Sequence, residues 1–413
     1  MTATGVDVDA AHRWERLVEV HAASAQIARR TAVLSSASIS ERVGGAVALK
    51  AECLQRTGSF KLRGALAKLR GVDRSRGVVA GSAGNHAQSL AYAARRYGLA
   101  CEVFMPVGAA VSKLDAVRAF GAVVQQRGAS VDDCVALARE RADEAGMTFV
   151  HPFDDDDVIA GQAGVGVELA GEVDELRRVL IPVGGGGLAS GVALALRQAL
   201  PGVELIGVQA SACAPFVAAF AGAGAAPGRA VAAGTTIADG IAVKRPGAVT
   251  LPLLNRLLDD LCSVEEEAIA EAMVLLLERS KLLVEGAGAA ALAALLSGVA
   301  RPAARGTTVA ILSGGNVDVS LLAAIAARQE TRVGRRARLF TRVSDRPGGI
   351  AGLLDAVAAA DANVIDVDHV RDGVELRIRE TGVGLTLETR GADHLGDVLA
   401  ALRAAGYDVS VRG

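Results

Sequence analysis

Lysine occurs in this chain at positions 50, 61, 68, 113, 244 and 281 only, so a lysine inside a glycine-bearing motif stands out. Lys61 ends the run Thr57-Gly58-Ser59-Phe60-Lys61, between a strand-like and a helix-like segment. Alone, such a turn reads as a solvated lysine at a helix start. A nucleophilic lysine needs burial or nearby cations, so that its amine is neutral often enough to attack an aldehyde. The run Gly184-Gly185-Gly186-Gly187-Leu188 follows the apolar segment VLIPV and precedes ASGVALALRQAL. Consecutive glycines carry an entropic cost that a plain turn does not require, and amides aimed from a helix start form a nest for phosphate. A tight strand-to-helix turn remains an alternative. So does a dinucleotide loop, since Gly184, Gly186 and Ala189 fit its spacing, but Gln209 stands where that fold wants an acid. Ser82-Ala83-Gly84-Asn85-His86 can offer helix-start amides to a carboxylate, and Ser313-Gly314-Gly315-Asn316 lies beyond an apolar strand, where α/β sheets present ligands. Each of these also reads as a cap or turn; singly they are weak signals, jointly the four are not.

The elements that must position these loops alternate in type. Residues 12–31 read as an amphipathic helix, 46–53 as a strand and 60–70 as a helix. Residues 77–98 read as strand, glycine loop and helix, followed by strand 100–106, helix 112–121, strand-like AVVQQRG and helical VDDCVALARERADEAG. A second series runs through 179–200, 203–210 and 307–316. Alternation at crossover spacing gives parallel sheets and an α/β class with two such domains. Residues 218–234, rich in small side chains, read as a connection. After the arginine-rich 331–338 the order becomes βαββαβ, a ferredoxin-like unit, which places a boundary near 335.

At 413 residues the chain has room for two or three domains. A net charge of −2 and the lack of a basic tract interleaved with aromatics argue against a nucleic-acid partner. Cysteines 53, 101, 134, 213 and 262 are odd in number and scattered, which predicts free thiols in a reducing compartment. The N-terminus lacks a basic-then-apolar leader, and apolar stretches are interrupted before they could span a bilayer, so a soluble, cytoplasmic protein is expected. The acidic run Asp154 to Asp157 reads as a solvated helix start, because adjacent carboxylates do not converge on one ion; no metal is assigned. His151 reads as structural and Cys53 as a small buried residue.

TGSFKLRGA, SAGNHAQ, PVGGGGLASG and LSGGN occur in the order and rough spacing of the threonine/serine dehydratase branch of fold-type II pyridoxal-phosphate enzymes. The chain resembles that family over about residues 30–325, with Ala238-Asp239-Gly240 and EGAGAAALAALLSG (285–298) adding to the match. The resemblance implies a tryptophan synthase β-like fold of two three-layer α/β domains over residues 1–335. The large one would span about 1–70 and 150–335, and the small one about 71–149. Carried over by position, it makes Lys61 the Schiff-base lysine of pyridoxal 5'-phosphate, with Phe60 against the ring. Asn85 would bond the ring hydroxyl, and Gly184, Gly185, Gly186, Gly187 and Leu188 the phosphate. Ser313 would face the pyridine nitrogen, and Ser82, Asn85 and His86 would line the substrate carboxylate pocket.

A serine rather than an acid at the pyridine nitrogen favours elimination over transamination. The implied reaction removes the hydroxyl and amino groups of a β-hydroxy amino acid: L-threonine to 2-oxobutanoate and ammonia, or L-serine to pyruvate. A serine- or hydroxyaspartate-preferring lyase is the alternative among enzymes, and a non-catalytic amino-acid-binding regulator the alternative outside them. Serine racemases of this branch carry a second base, a serine just before the Gly-Asn, where this chain has Ala83. Further departures are Thr31-Ala32-Val33-Leu34, Glu52-Cys53 in place of an acidic pair, and Gly161-Gln162-Ala163-Gly164 in place of GQGT. Residues 336–413, with DRPGGIAGLL, resemble an ACT domain, which implies an amino-acid effector, isoleucine or valine, and a homodimer or homotetramer.

Overall fold

A computed structural model describes residues 13–220, 234–371 and 376–412; most of the connection expected over 218–234 lies outside the described residues. The chain divides into two compact units, Met1–Asp318 and Val319–Gly413.

In the first unit, runs of Val, Leu, Ile and Ala form strands Val33–Ser35 (β1), Val47–Ala51 (β2), Val78–Gly81 (β3), Cys101–Met105 (β4), Val123–Gln126 (β5) and Thr148–Phe149 (β6). They continue with Leu176–Pro182 (β7), Glu204–Ala210 (β8), Asp260–Val264 (β9) and Thr307–Leu312 (β10). One sheet is six-stranded, in the order β1-β2-β10-β7-β8-β9, and parallel apart from the β1/β2 pair. A second, four-stranded sheet runs β5-β4-β3-β6, all parallel. Helices on both faces explain why β2, β3 and β4 are buried along their whole length and read as continuous apolar runs instead of alternating ones. The helix Gly286–Leu296, made almost wholly of Ala, Gly and Leu, is buried nearly throughout, since only small side chains let a helix lie that close to its neighbours.

Parallel pairing decides where the motifs go. β2, β10 and β7 are neighbours running in one direction, so the segments that follow them all emerge at the same edge of the sheet. These are residues 52–60, the Ser313 loop and the tetraglycine loop. The helix expected over 12–31 is shorter, Trp14–Ser24. Beyond it the backbone of Arg29 leaves helical bonding for the Gln55 side chain, which accepts from the Arg29 N–H and donates to its carbonyl, both at 2.8 Å. Among the described residues no helix is long and apolar enough to cross a membrane.

The second unit opens with the helix Val319–Arg332 and continues as Arg336–Ser344 (β11), helix Gly349–Ala359, Asn363–Val370 (β12), Glu380–Glu388 (β13), helix Ala392–Ala404 and Ser410–Arg412 (β14). Its sheet is antiparallel, in the order β12-β13-β11-β14, which is a βαββαβ unit. Alternation along β11 puts Leu339 and Val343 onto a core with Leu353, Val357, Leu385 and Leu402.

Candidate active site

Lys61 is the first residue of the helix Lys61–Leu69. Its side chain enters a cavity of about 970 Å³ whose wall also includes Phe60, Ser82, Asn85, His86, Ser313 and the segment Gly184 to Leu188. Every candidate residue read from the sequence therefore borders one space. Lys61 Nζ donates to the Pro152 carbonyl at 2.7 Å and sits 5.2 Å from the centre of the Phe60 ring. Burial pushes its amine down to about 8, although the Glu285 carboxyl pulls the other way. That meets the requirement for a lysine that is uncharged part of the time near neutral pH.

The tetraglycine loop ends at the helix Gly187–Ala199, with Gly186 at φ 90°, a conformation that side chains oppose. A Cβ on Gly185 would overlap the Phe153 ring, and one on Gly186 would press on Thr250 at 2.8 Å. Thr250 Oγ1 also donates to the Gly185 carbonyl at 2.7 Å, turning that oxygen away and fixing the loop. The first N–H groups of a helix lack intrahelical partners, and here the residues that carry them, Gly187 and Leu188, line the cavity, while a side chain on any of the glycines would meet Phe153, Thr250 or Ile241. Gln209 has a different task from the ribose-binding acid of a dinucleotide fold. Buried, it donates to the Val183 carbonyl and accepts from the Phe216 and Val217 amides, anchoring the strand just before the glycines.

Ser82 and Asn85 flank the start of the helix Asn85–Tyr97. Ser82 Oγ accepts from the Gly84 amide at 3.3 Å. His86 is buried, and its Nε2 lies 3.1 Å from the Val150 carbonyl, so that nitrogen carries the proton. Burial, aided by Lys61, holds the ring down to about 3, so it stays neutral and directs its N–H away from any anion in the cavity. Ser313 ties the loops together through its carbonyl, which accepts from the Phe60 amide at 3.1 Å, while its hydroxyl keeps only a long 3.5 Å bond to the Ala287 carbonyl.

Sequence reading missed three contributors. Glu285 accepts from Asn85 Nδ2 at 2.6 Å. Burial, reinforced by Asp239, pushes its carboxyl up to about 8, against the pull of Asn85, Lys113 and Lys61. Asn316 donates to Asn85 Oδ1 at 2.7 Å and to the Thr57 carbonyl at 2.8 Å, so both ends of the Asn85 amide are oriented by protein. The third is the loop 151–154. It supplies the Lys61 acceptor at Pro152, the Phe153 cover on the glycines, and Asp154, whose carboxylate accepts from the amides of Ala248, Val249 and Thr250. The acidic run is thus only partly a helix start of its own. Asp155 caps Asp156–Gln162, whereas Asp154 caps a helix that begins 96 residues further on. His151 orients the loop, its Nδ1 accepting from the Asp154 amide at 2.7 Å. Because Asp154 holds the Thr250 turn against Gly185, Asp154→Ala is expected to cost about 1–2 kcal/mol of stability, the usual loss for a helix cap. A urea midpoint unchanged from the parent would contradict that role.

These residues fit pyridoxal phosphate: a partly neutral buried amine, an anion nest with no room for side chains, a hydroxyl with spare bonding capacity and an oriented amide surround one cavity. The comparisons agree. The family model described as "Pyridoxal-phosphate dependent enzyme" matches residues 25–314. The L-threonine ammonia-lyase of Geobacter sulfurreducens is 42% identical over 388 residues, 93% of this chain and 95% of that protein. The one from Thermotoga maritima is 40% identical over 405 residues, 97% and 99% respectively. Among solved structures, a threonine deaminase from T.th. superposes with a TM-score of 0.68 at 38% identity, over 74% of this chain and 98% of its own. Maize serine racemase superposes with a TM-score of 0.71 at 32% identity, over 77% and 98%. With its fold-type II architecture and these matches over most of its length, the chain belongs to the pyridoxal-phosphate dependent enzyme family.

Proposed function

We propose that this protein eliminates water from L-threonine to leave an enamine whose hydrolysis gives 2-oxobutanoate and ammonia, with L-serine, giving pyruvate, as a second substrate. The observation that carries the reading is the buried Lys61 amine, pushed down to about 8 by burial in a cavity it shares with the tetraglycine nest. The relatives named L-threonine ammonia-lyase support the choice of substrate.

When bound, pyridoxal phosphate supplies an electron sink that acidifies the Cα proton of an amino acid. The protein's residues do the rest. Lys61 would hold the cofactor through its amine and, with that amine free, would serve as the base beside Cα. Gly184 to Leu188 would take the phosphate on backbone amides, and Phe60 would lie against the ring. Ser313 would offer the ring nitrogen a hydroxyl, which would not protonate it as an acid would. Asn85, oriented by Glu285 and Asn316, would be the donor for the ring hydroxyl. Ser82, Asn85 and His86 receive the substrate carboxylate. For His86, the neutral ring assigns this to its backbone N–H at the helix start.

The structural likeness to a racemase favours a second reading, which Ala83 opposes: a methyl group there has no proton to give to the opposite face of Cα. Accordingly, L-serine is expected to yield pyruvate without D-serine on chiral chromatography. D-serine accumulating at a rate comparable to pyruvate would favour the racemase. The main test follows absorbance between 300 and 500 nm with an oxo-acid assay. A band near about 410 nm with 2-oxobutanoate release is expected. A band without threonine turnover moves the substrate to serine or hydroxyaspartate, and no band after reconstitution favours a non-catalytic regulator.

The lowered amine gives a pH prediction for cofactor uptake by the apoprotein. Only the neutral amine attacks an aldehyde, so the uptake rate should rise with pH and level off above about 8, whereas an unperturbed lysine, at 10.5, would still be gaining at pH 9. Stopped-flow absorbance across pH 6 to about 10 reads this directly. The βαββαβ unit is proposed as an ACT-like amino-acid sensor for isoleucine or valine, and the protein as a cytoplasmic homodimer or homotetramer. A monomer by light scattering would overturn the oligomer.

A further inference from the structure

Beneath the first turn of the Lys61–Leu69 helix lies a buried set of charges that takes no part in the reaction. Arg63 is 2% exposed, and its fork donates to Glu52 at 2.7 and 2.8 Å and to Glu168 at 2.7 and 3.0 Å. Lys50, fully buried, donates to Glu168 at 2.7 Å, Glu172 at 2.8 Å and the Thr31 carbonyl at 2.8 Å. Thr31 Oγ1 donates to Glu52, and Arg30 pairs with Glu172. Lysine and arginines are thus balanced by the three glutamates. Ion pairs this deep add little net stability over apolar packing, because desolvation offsets most of the attraction, so stability alone is a weak reason for them.

Their placement supplies another. Arg63 follows Lys61 by two positions, which on an α-helix puts the two side chains on nearly opposite faces. One face enters the cavity while the other is bolted to Glu52, in the turn just after β2, and to Glu168 on the helix Gly164–Glu172. Next along the helix, Gly64 and Gly161 let the helices Lys61–Leu69 and Asp156–Gln162 touch, since a Cβ on either would overlap the other helix. Gln162 Oε1 accepts from the Gly64 amide at 3.2 Å. Apolar contacts at such small residues let a helix rotate about its axis; a guanidinium gripped by two carboxylates through a planar fork does not.

We propose that Arg63 is a positioning residue. Clamped by Glu52 and Glu168, it sets the rotation of the helix start and so aims Lys61 Nζ into the cavity. The inference rests on the reading of Lys61 as the reactive amine. It also gives the Glu52-Cys53 departure a reason: only the first of the two positions meets Arg63.

The test is Arg63→Lys, which keeps the charge and loses the fork, with cofactor loading matched to the parent. A misplacement of about 1 Å costs on the order of 100-fold in rate. Expected, therefore, is a kcat lowered about 30- to 100-fold with KM within about threefold, and a weaker cofactor dissociation constant read from the visible band. Should this variant fail to fold, Arg63→Met with Glu52→Gln keeps the cluster's charge balance and is read in the same way. A purely structural role would lower the melting temperature and leave kcat per loaded site unchanged in either variant, which overturns the proposal. Failure of the underlying reading is distinct: the parent itself would then show no visible band and no oxo-acid release.

Discussion

Lys61→Ala is expected to lower kcat/KM for L-threonine by about ten-thousand-fold or more, because it removes in one step the covalent anchor of the cofactor and the base beside Cα. The visible band near about 410 nm should vanish, while cofactor still enters weakly through the glycine nest. The cavity should tolerate the change. Lys61 makes its bond to the Pro152 carbonyl at the cavity wall, and removing a buried amine also removes its desolvation cost, so thermal unfolding should move little. The variant thus separates chemistry from folding. Residual turnover within about tenfold of the parent would show that another group does the work and would shift attention to the remaining cavity lysines, Lys113 and Lys244.

The second large effect is expected from one methyl group. In Gly185→Ala the new Cβ falls on the Phe153 ring, so either the ring or the glycine loop must move. The loop's carbonyl is held by Thr250, whose turn is in turn held by Asp154, so neither partner shifts freely. Cofactor affinity should fall about 100-fold, as expected when a charge-assisted anion nest loses its geometry. Phe153→Ala in the same chain should recover much of it, because the overlap disappears; a double-mutant cycle of absorbance titrations measures the coupling. Additive losses would mean that the two residues do not share the strain.

The four glycine loops were legible because each combines a local backbone requirement with a place after an apolar strand, both visible within a dozen residues. The βαββαβ order was legible for the same reason: β11 alternates and the helices carry their own periodicity. What escaped works at long range. Glu285 lies 200 residues from Asn85, and Asn316 lies 231 from it, so nothing local marks either as the orienting partner of that amide. The acidic run at 154–157 looked uniform, yet neighbouring carboxylates serve different helices. His86 shows the limit from the other side. Its presence in the loop was readable, but its tautomer and neutrality follow from burial against the Val150 carbonyl.

The place of β10 between β2 and β7 has a consequence for how the protein comes into being. The strand leading into the Lys61 loop stays an exposed edge until residues 307–312 arrive, almost at the end of the first unit, to fill the slot beside it. Contacts of such sequence separation form late and slowly, since the intervening chain must be closed into a loop first. A growing polypeptide therefore holds every earlier piece of the cavity without a floor to join them. Cofactor capture should then be an end-point signal of folding, with yellow colour developing only after the central strand has docked.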